Sequence, residues 1–191
     1  MAGGVETESK HRVADPAAVA ATLVQLGFRA GPIALESDEY YDTAGGLLRA
    51  GDMVVRLRLV HEQVTACFKG PRTYLPDGSY SRVEVELPAA GIGDVRAAFS
   101  AQGLVCVWRL QKRRCEYRHP DRPVVVCADE VPALGHFVEL EGEPADIAEI
   151  RRALGWQIGP PERLNYRELA GQSLAGQGEP VTVLMFATED G

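Results

Sequence analysis

The sequence predicts an α+β fold in which antiparallel strands close, or nearly close, into an eight-stranded β-barrel with a charged lumen and helices packed outside. Three observations carry the prediction. Short β-branched or aromatic runs are separated by Gly, Pro and Asp turn signals; charges recur at every second residue in five of those runs; and a few apolar-striped helices need a sheet face to cover. At 191 residues and 46% hydrophobic content the chain is long enough for one sizeable core and short for two ordinary domains. The expected organisation is a single domain over 1–171 and a tail over 172–191 that is either an added strand or a loose terminus.

The elements follow in order. "VETESK" at residues 5–10 alternates charge with small or apolar residues and reads as a first strand. "ADPAAVAATLVQLGF" reads as a helix, with Asp15 as N-cap, Pro16 in the first turn and Gly27 at the stop. Strands are expected over "ESDEYYDT" (36–43), "DMVVRLRLV" (52–60), "QVTACFKG" (63–70) and "SYSRVEVEL" (79–87), close enough in sequence to be antiparallel neighbours. A second helix is expected from Asp94. Strands follow in "LVCVWRLQKRRCEYR", "RPVVVCADE" and "HFVELEG", then a third helix in "EPADIAEIRRALGW" and a short one in "LNYRELAG" (164–171).

Composition removes several function classes. A net charge of -7 argues against a broad nucleic-acid surface but leaves room for a local basic pocket. No apolar run approaches the length of a membrane span and no secretory plan opens the chain, so the cytoplasm is the expected compartment, without a membrane partner. Cys67, Cys106, Cys115 and Cys127 form no C-x-x-C pair and are expected to be reduced structural thiols. His11, His61, His119 and His136 form no spaced cluster and are expected at the surface or in loops; His136, beside an acidic strand, is the one to watch. Trp108 is expected in the core.

Same-face charge is the informative pattern. Glu6, Glu8 and Lys10 share a face; so do Arg56 and Arg58, then Arg82, Glu84 and Glu86, then Lys112 and Arg114, then Glu139 and Glu141. A single such strand is most simply a solvated face with cross-strand ion pairs. With five, the apolar faces are where the helices must pack, and in a closed sheet the charged faces then point into the lumen. Charges buried at that density need partners. A polyanion suits the cations, and Mg²⁺ or Mn²⁺ suits carboxylates that have no His or Cys partner set. Phosphoryl transfer is mainly positioning and electrostatics, so the absence of a nucleophile motif is no objection.

The same residues resemble the CYTH group of triphosphate tunnel metalloenzymes, which includes class IV adenylate cyclases, thiamine triphosphatases and inorganic triphosphatases. The likeness runs in order through "VETESK", "YYDT", "VRLRL", "FKGP", "SRVEVE", "QKRRCEY", "ADEVPALGHFVELEG" and "NYREL", over about residues 5–171. It implies an antiparallel tunnel that binds a small-molecule triphosphate. Lys10, Arg56, Arg58, Lys69, Lys112 and Arg114, with Arg82 as a further member, resemble the triphosphate cradle. Glu6, Glu8, Glu84, Glu86, Asp129, Glu139 and Glu141 resemble the metal-binding set. Lys112 and Arg114 are chosen over Arg113 because Lys-x-Arg followed by an aromatic three places on is met by Lys112, Arg114 and Tyr117. Tyr166 stands where the family has the Tyr of a Ser-Tyr pair, with Asn165 in place of the Ser, and Tyr41 and Asp42 are candidates to orient lumen residues, although a strand-end turn explains Asp42 equally.

The resemblance implies a metal-dependent enzyme. A class IV-type adenylate cyclase, converting ATP to cyclic AMP and pyrophosphate, is the first expectation, on "LGHF" and "FKGP". A triphosphatase acting on thiamine triphosphate, tripolyphosphate or a nucleoside triphosphate is the alternative, on "DEYYDT" and "LLRAGDMVVRLR", and a non-catalytic polyphosphate-binding module is a third reading. A homodimer is a further expectation drawn from the cyclases.

Overall fold

Antiparallel pairing runs unbroken around eight strands in the computed structural model, which describes residues 2–174 and 182–187. In spatial order these are β1 (Ala2–Val13), β9 (Gly135–Glu141), β8 (Val125–Val131), β7 (Leu104–Arg118), β2 (Arg29–Thr43), β3 (Val54–Val60), β4 (Gln63–Lys69) and β6 (Tyr80–Ala89). The ring closes because β1 pairs twice: Ala2 to Glu8 lie against β6, and Glu8 to Val13 lie against β9. Closure removes the unpaired edges that an open sheet of this size would present.

Three short strands lie off the ring. β5 (Thr73–Tyr74) extends β6, β10 (Ile158–Pro161) pairs with the end of β1, and β11 (Val183–Leu184) lies parallel to β7. Of the tail 172–191, residues 175–181 and 188–191 lie outside the described residues. β5 and β10 were not expected from sequence. They are too short to show alternation, and each owes its strand character to a neighbour.

The helices sit outside. α1 (Pro16–Gln25) starts at Asp15, whose carboxylate accepts from the backbone N–H groups of Ala17 and Ala18, as the Asp-Pro pair predicts. With α4 (Pro144–Leu154) it buries Val19, Leu23, Ile147, Ile150 and Leu154 against the outward Val13, Tyr117, Val126, Val138 and Leu140. α3 (Ile92–Ala101) begins two residues ahead of Asp94, which falls in its first turn, and packs Phe99 on Tyr41, Val55 and Leu57. Burying such side chains is worth about 1.5–3 kcal/mol each. Alternation then leaves the opposite strand faces to the interior.

Two smaller helices shape one end of the lumen. α2 (Leu47–Ala50) is a single turn held by Asp42, whose carboxylate accepts from the N–H groups of Leu48 and Arg49. Asp42 is therefore a turn residue. Alternation along β2 puts Tyr41 on the outward face with Glu39, where it stacks on Phe99 at 4.9 Å and donates to Glu39 at 2.7 Å; the expectation that it orients lumen residues is corrected. α5 (Tyr166–Ser173) opens on a capping box in which Asn165 and Glu168 satisfy each other's backbone N–H. It packs on Trp108, Leu110 and Phe137, all on lumen-facing strand positions, so that end of the barrel is closed by helix.

His11 corrects another expectation. It is fully buried on the outer face of β1, with Nδ1 2.8 Å from the Gly159 carbonyl of β10 and Nε2 2.8 Å from Ser9 Oγ. The covering strand β10, invisible in the sequence pattern, is what buries it. His61 and His136 are exposed and His119 half-buried.

Candidate functional site: a charge-segregated tunnel

Register brings the same-face charges together. Residues directly opposite in an antiparallel pair share a face, and the pairings Glu8 with Glu141, Lys10 with Glu139, Glu6 with Arg82, Lys69 with Glu84 and Arg114 with Asp129 place the charges of separate strands on one inner wall. The cavity they line holds about 840 Å³, within the range of small-molecule sites. Lys10, Arg56, Arg58, Lys69, Arg82, Lys112 and Arg114 all reach it, as do Glu6, Glu8, Glu84, Glu86, Glu139 and Glu141. Arg113 points outward to Glu130 and the Phe186 ring, as the Lys-x-Arg spacing implies.

Asp129 is placed differently from the other carboxylates. Its side chain has no exposed surface and accepts from Arg114 Nε and Nη2 at 2.7 Å, Lys112 Nζ at 3.0 Å and Tyr166 Oη at 2.8 Å. Burial opposes its ionisation, but Arg114 and Lys112 outweigh burial and hold the acid below the ordinary carboxylate range. It is a built-in counter-ion beneath two cations.

Two residues that sequence reasoning missed do the same work. Asp38 receives a bidentate contact from Arg58 (2.7 and 2.8 Å), and Glu36 sits 2.8 Å from Arg58 and 3.4 Å from Lys112. Burial would raise the Asp38 acid, yet Arg58 and Arg56 together depress it far below its usual value. The signal was present: Glu36, Asp38 and Tyr40 repeat at every second position of "ESDEYYDT". Glu39, which faces out to Arg96 and Arg109, obscured it.

The wall formed by β1, β6 and β9 has the opposite balance. Lys69 is shared between Glu6 at 2.8 Å and Glu84 at 3.0 Å, one ammonium for two carboxylates. Burial raises the Glu6 acid, only partly relieved by Lys69, while Glu84, although buried, stays low because it accepts hydrogen bonds from Glu6, Lys69 and Cys67. Burial also pushes Glu141 up to about 7, against Arg114 and with the help of Glu139 and Glu8. Glu139 stays ionised because Arg114, Lys112 and Lys10 overcome its burial; Arg114 Nη2 contacts it directly.

Several cations lack a full complement of partners among the described residues. Arg56 Nε and Arg82 Nε are buried without an acceptor, and Arg56 reaches carboxylates only at 3.4 and 3.9 Å. Lys10 Nζ lies 4.7 Å from the centroid of the Tyr166 ring and makes no ion pair within 4.0 Å. Burial lowers its pKa, opposed by Glu139 and Glu8. Buried donors left open in this way are matched to an anionic ligand. The opposite wall, with buried carboxylates in excess of cations, fits a hard divalent cation.

The fold and its inner wall define a class of closed antiparallel barrels with a charged tunnel. The CYTH domain family model matches residues 4–155, and the chain belongs to that family. A protein of Methanocaldococcus jannaschii named "putative adenylate cyclase" is 28% identical over 150 residues, covering 78% of this chain and 83% of that one. A Vibrio parahaemolyticus structure of the same name superposes with a TM-score of 0.70 at 20% identity, covering 89% of this chain and 99% of the other. A Hippeastrum protein, described as a "putative adenylyl cyclase" with a dominant triphosphatase activity, superposes with a TM-score of 0.66 at 18% identity, covering 92% and 98%. At those identities the two structures show the fold alone. No helix among the described residues is long and apolar enough to cross a membrane.

Proposed function

We propose that the chain is a metal-dependent enzyme acting on an organic triphosphate held in the tunnel, with adenylate cyclisation as the first reading. The observation that carries the proposal is the division of the lumen. Arg58, Lys112 and Arg114 are fixed by Glu36, Asp38 and Asp129, while Lys10, Arg56 and Arg82 are left with open donors facing the same space. The fixed cations hold their geometry whether or not an anion is present, so little reorganisation is needed when one enters. The open donors are those an incoming phosphate satisfies.

Glu6, Glu8, Glu84, Glu86, Glu139 and Glu141 are the residues that would hold Mg²⁺ or Mn²⁺, with Asp129 acting instead as the anchor of Lys112 and Arg114. A divalent cation bound there supplies neutralisation of charge on the phosphate oxygens. The chain's own residues bind and orient: Arg side chains take phosphate oxygens in pairs, Lys10 and Lys69 as point charges. The helix-closed end offers an organic group Tyr40, Met53, Trp108 and Leu174, and Trp108 Nε1 is buried there without an acceptor. That lining favours a triphosphate with an organic end over bare tripolyphosphate.

In the cyclase reading the ribose 3′-hydroxyl attacks the α-phosphate and pyrophosphate leaves; the archaeal relative's name supports it. In the second reading water attacks the terminal phosphate, and the activity described for the Hippeastrum protein favours it. Purified protein with Mg²⁺ or Mn²⁺ and ATP, thiamine triphosphate or tripolyphosphate separates them. Cyclic AMP with pyrophosphate is the expected product, orthophosphate identifies the hydrolase, and tight binding without turnover of any substrate sinks the enzyme reading in favour of a binding module.

A further inference from the structure

A thiol lies inside the acidic wall. Cys67 of β4 faces the lumen, opposite Glu86 on β6 and opposite Arg56 on β3. Its Sγ is 2.9 Å from Glu84 Oε1, and one donor atom from each of Cys67, Glu84 and Glu86 can be chosen so that all lie within 4.8 Å of one another. It is the only such group of metal-ligating side chains among the described residues. The thiol is fully buried, with Arg56, Lys69, Glu84 and Glu86 as its charged neighbours. Arg56 adds an independent sign. It is more than nine-tenths buried, its Nη2 reaches into the cluster at 3.4 Å from Glu86, and its Nε has no acceptor. The Cys67 thiolate, opposite Arg56 across the strand pair, would supply one.

We propose that Cys67, Glu84 and Glu86 form a thiophilic divalent-cation site in the tunnel wall, suited to Zn²⁺, and that its occupation inhibits the tunnel's chemistry. One sulfur and two oxygens, the two carboxylates lining the lumen, match the donor types of a Zn²⁺ site that takes its fourth ligand from solvent. Hard Mg²⁺ gains little from sulfur, so Cys67 discriminates between metals where the carboxylates alone do not. Binding releases the Sγ proton to solvent, leaving a thiolate and two carboxylates around the cation, while Lys69 keeps its contacts to the other Glu84 oxygen and to Glu6. Inhibition rests on the proposed function, because Glu84 and Glu86 are drawn away from the set assigned to the substrate's metal; the site itself does not.

Cadmium tests the site without turnover. Titrating the full-length protein with Cd²⁺ should produce an ultraviolet thiolate-to-metal absorption band that saturates near one equivalent. The band should be lost in Cys67→Ser and kept in Cys127→Ser. Glu86→Gln, which keeps the thiol, should weaken Cd²⁺ binding about tenfold or more. A band that survives Cys67→Ser, or unchanged affinity in Glu86→Gln, overturns the site. In the second arm, Zn²⁺ is titrated against Mg²⁺-supported turnover: Cys67→Ser should need about tenfold more Zn²⁺ for half-inhibition, and equal sensitivity overturns the inhibitory role. If no triphosphate is turned over, the functional reading falls while the cadmium band still decides the site.

Discussion

The two halves of the tunnel wall solve the burial of charge in opposite ways. On β2, β3, β7 and β8, cations and carboxylates are matched: Asp38 and Asp129 are fully ionised, held so by Arg58, Arg56, Arg114 and Lys112. On β1, β6 and β9, carboxylates outnumber the cations that reach them, and the acids of Glu6 and Glu141 rise toward neutrality. Apart from the open Nε of Arg56, the matched wall has its charges paired as folded. An unmatched wall is under electrostatic load until something positive arrives. The difference separates residues that build the tunnel from residues that await a ligand.

The sharpest way to break the comparison is to remove the central counter-ion of the matched wall. Asp129→Asn should leave Lys112 and Arg114 uncompensated in a buried setting and cost about 3–5 kcal/mol. That corresponds to a fall of roughly 6–20 °C in Tm by differential scanning calorimetry; a shift under about 2 °C would mean that the wall is not matched as described. The counterpart on the other wall is Glu6→Gln with Glu141→Gln. Turnover should drop about 10²–10³-fold, the scale of losing a preorganised electrostatic partner, while Tm without metal is unchanged or higher because surplus negative charge has been removed. Steady-state kinetics and thermal unfolding on the same preparation check both halves.

Proton linkage gives a smaller and more specific effect. Glu141 titrates near 7 in the folded chain, above its ordinary value of 4.5, so the stability it contributes is present at low pH and lost as pH rises through 7. Asp38 and Asp129 have the opposite sign: their contribution is present above the ordinary carboxylate range and lost only in acid. Between about pH 5 and about pH 8, therefore, the metal-free Tm should fall, Glu141→Gln should flatten the slope, and Mg²⁺ affinity should rise with proton release. Calorimetric titration in buffers of different ionisation enthalpy would show the released protons. The smallest effect belongs to Tyr166→Phe. It removes one of several donors to Asp129 and should cost about 0.5–1.5 kcal/mol of stability, while the ring that faces Lys10 is kept.

Alternation made the inner wall legible from sequence, since a period of two survives any register and every charge read at that spacing lines the lumen or, for Asp129, lies directly beneath it. Sequence could not say which charge meets which, because that depends on pairings between β2, β7 and β8 that are distant in the chain. Glu36 and Asp38 were therefore passed over, although their run was read as a strand, because Glu39 on its other face broke the charge pattern, and Asp129 was grouped with the metal set although its strand seats it between Arg114 and Tyr166. The burial of His11 was hidden for a related reason. Only the late, four-residue β10 covers it, and so short a strand carries no readable period.

The double pairing of β1 has a kinetic consequence. Its partners lie as far along the chain as Arg82 and Glu139, so the ring cannot shut until most of the sequence has been placed. Contacts of such long separation slow folding. Glu6, Glu8 and Lys10 stay hydrated until β1 meets β6 and β9, so their desolvation is tied to the seam that shuts the ring. A divalent cation or a polyphosphate in the medium would then speed closure only if it acts at that final seam, which would make ligand a participant in the barrel's assembly as well as its occupant.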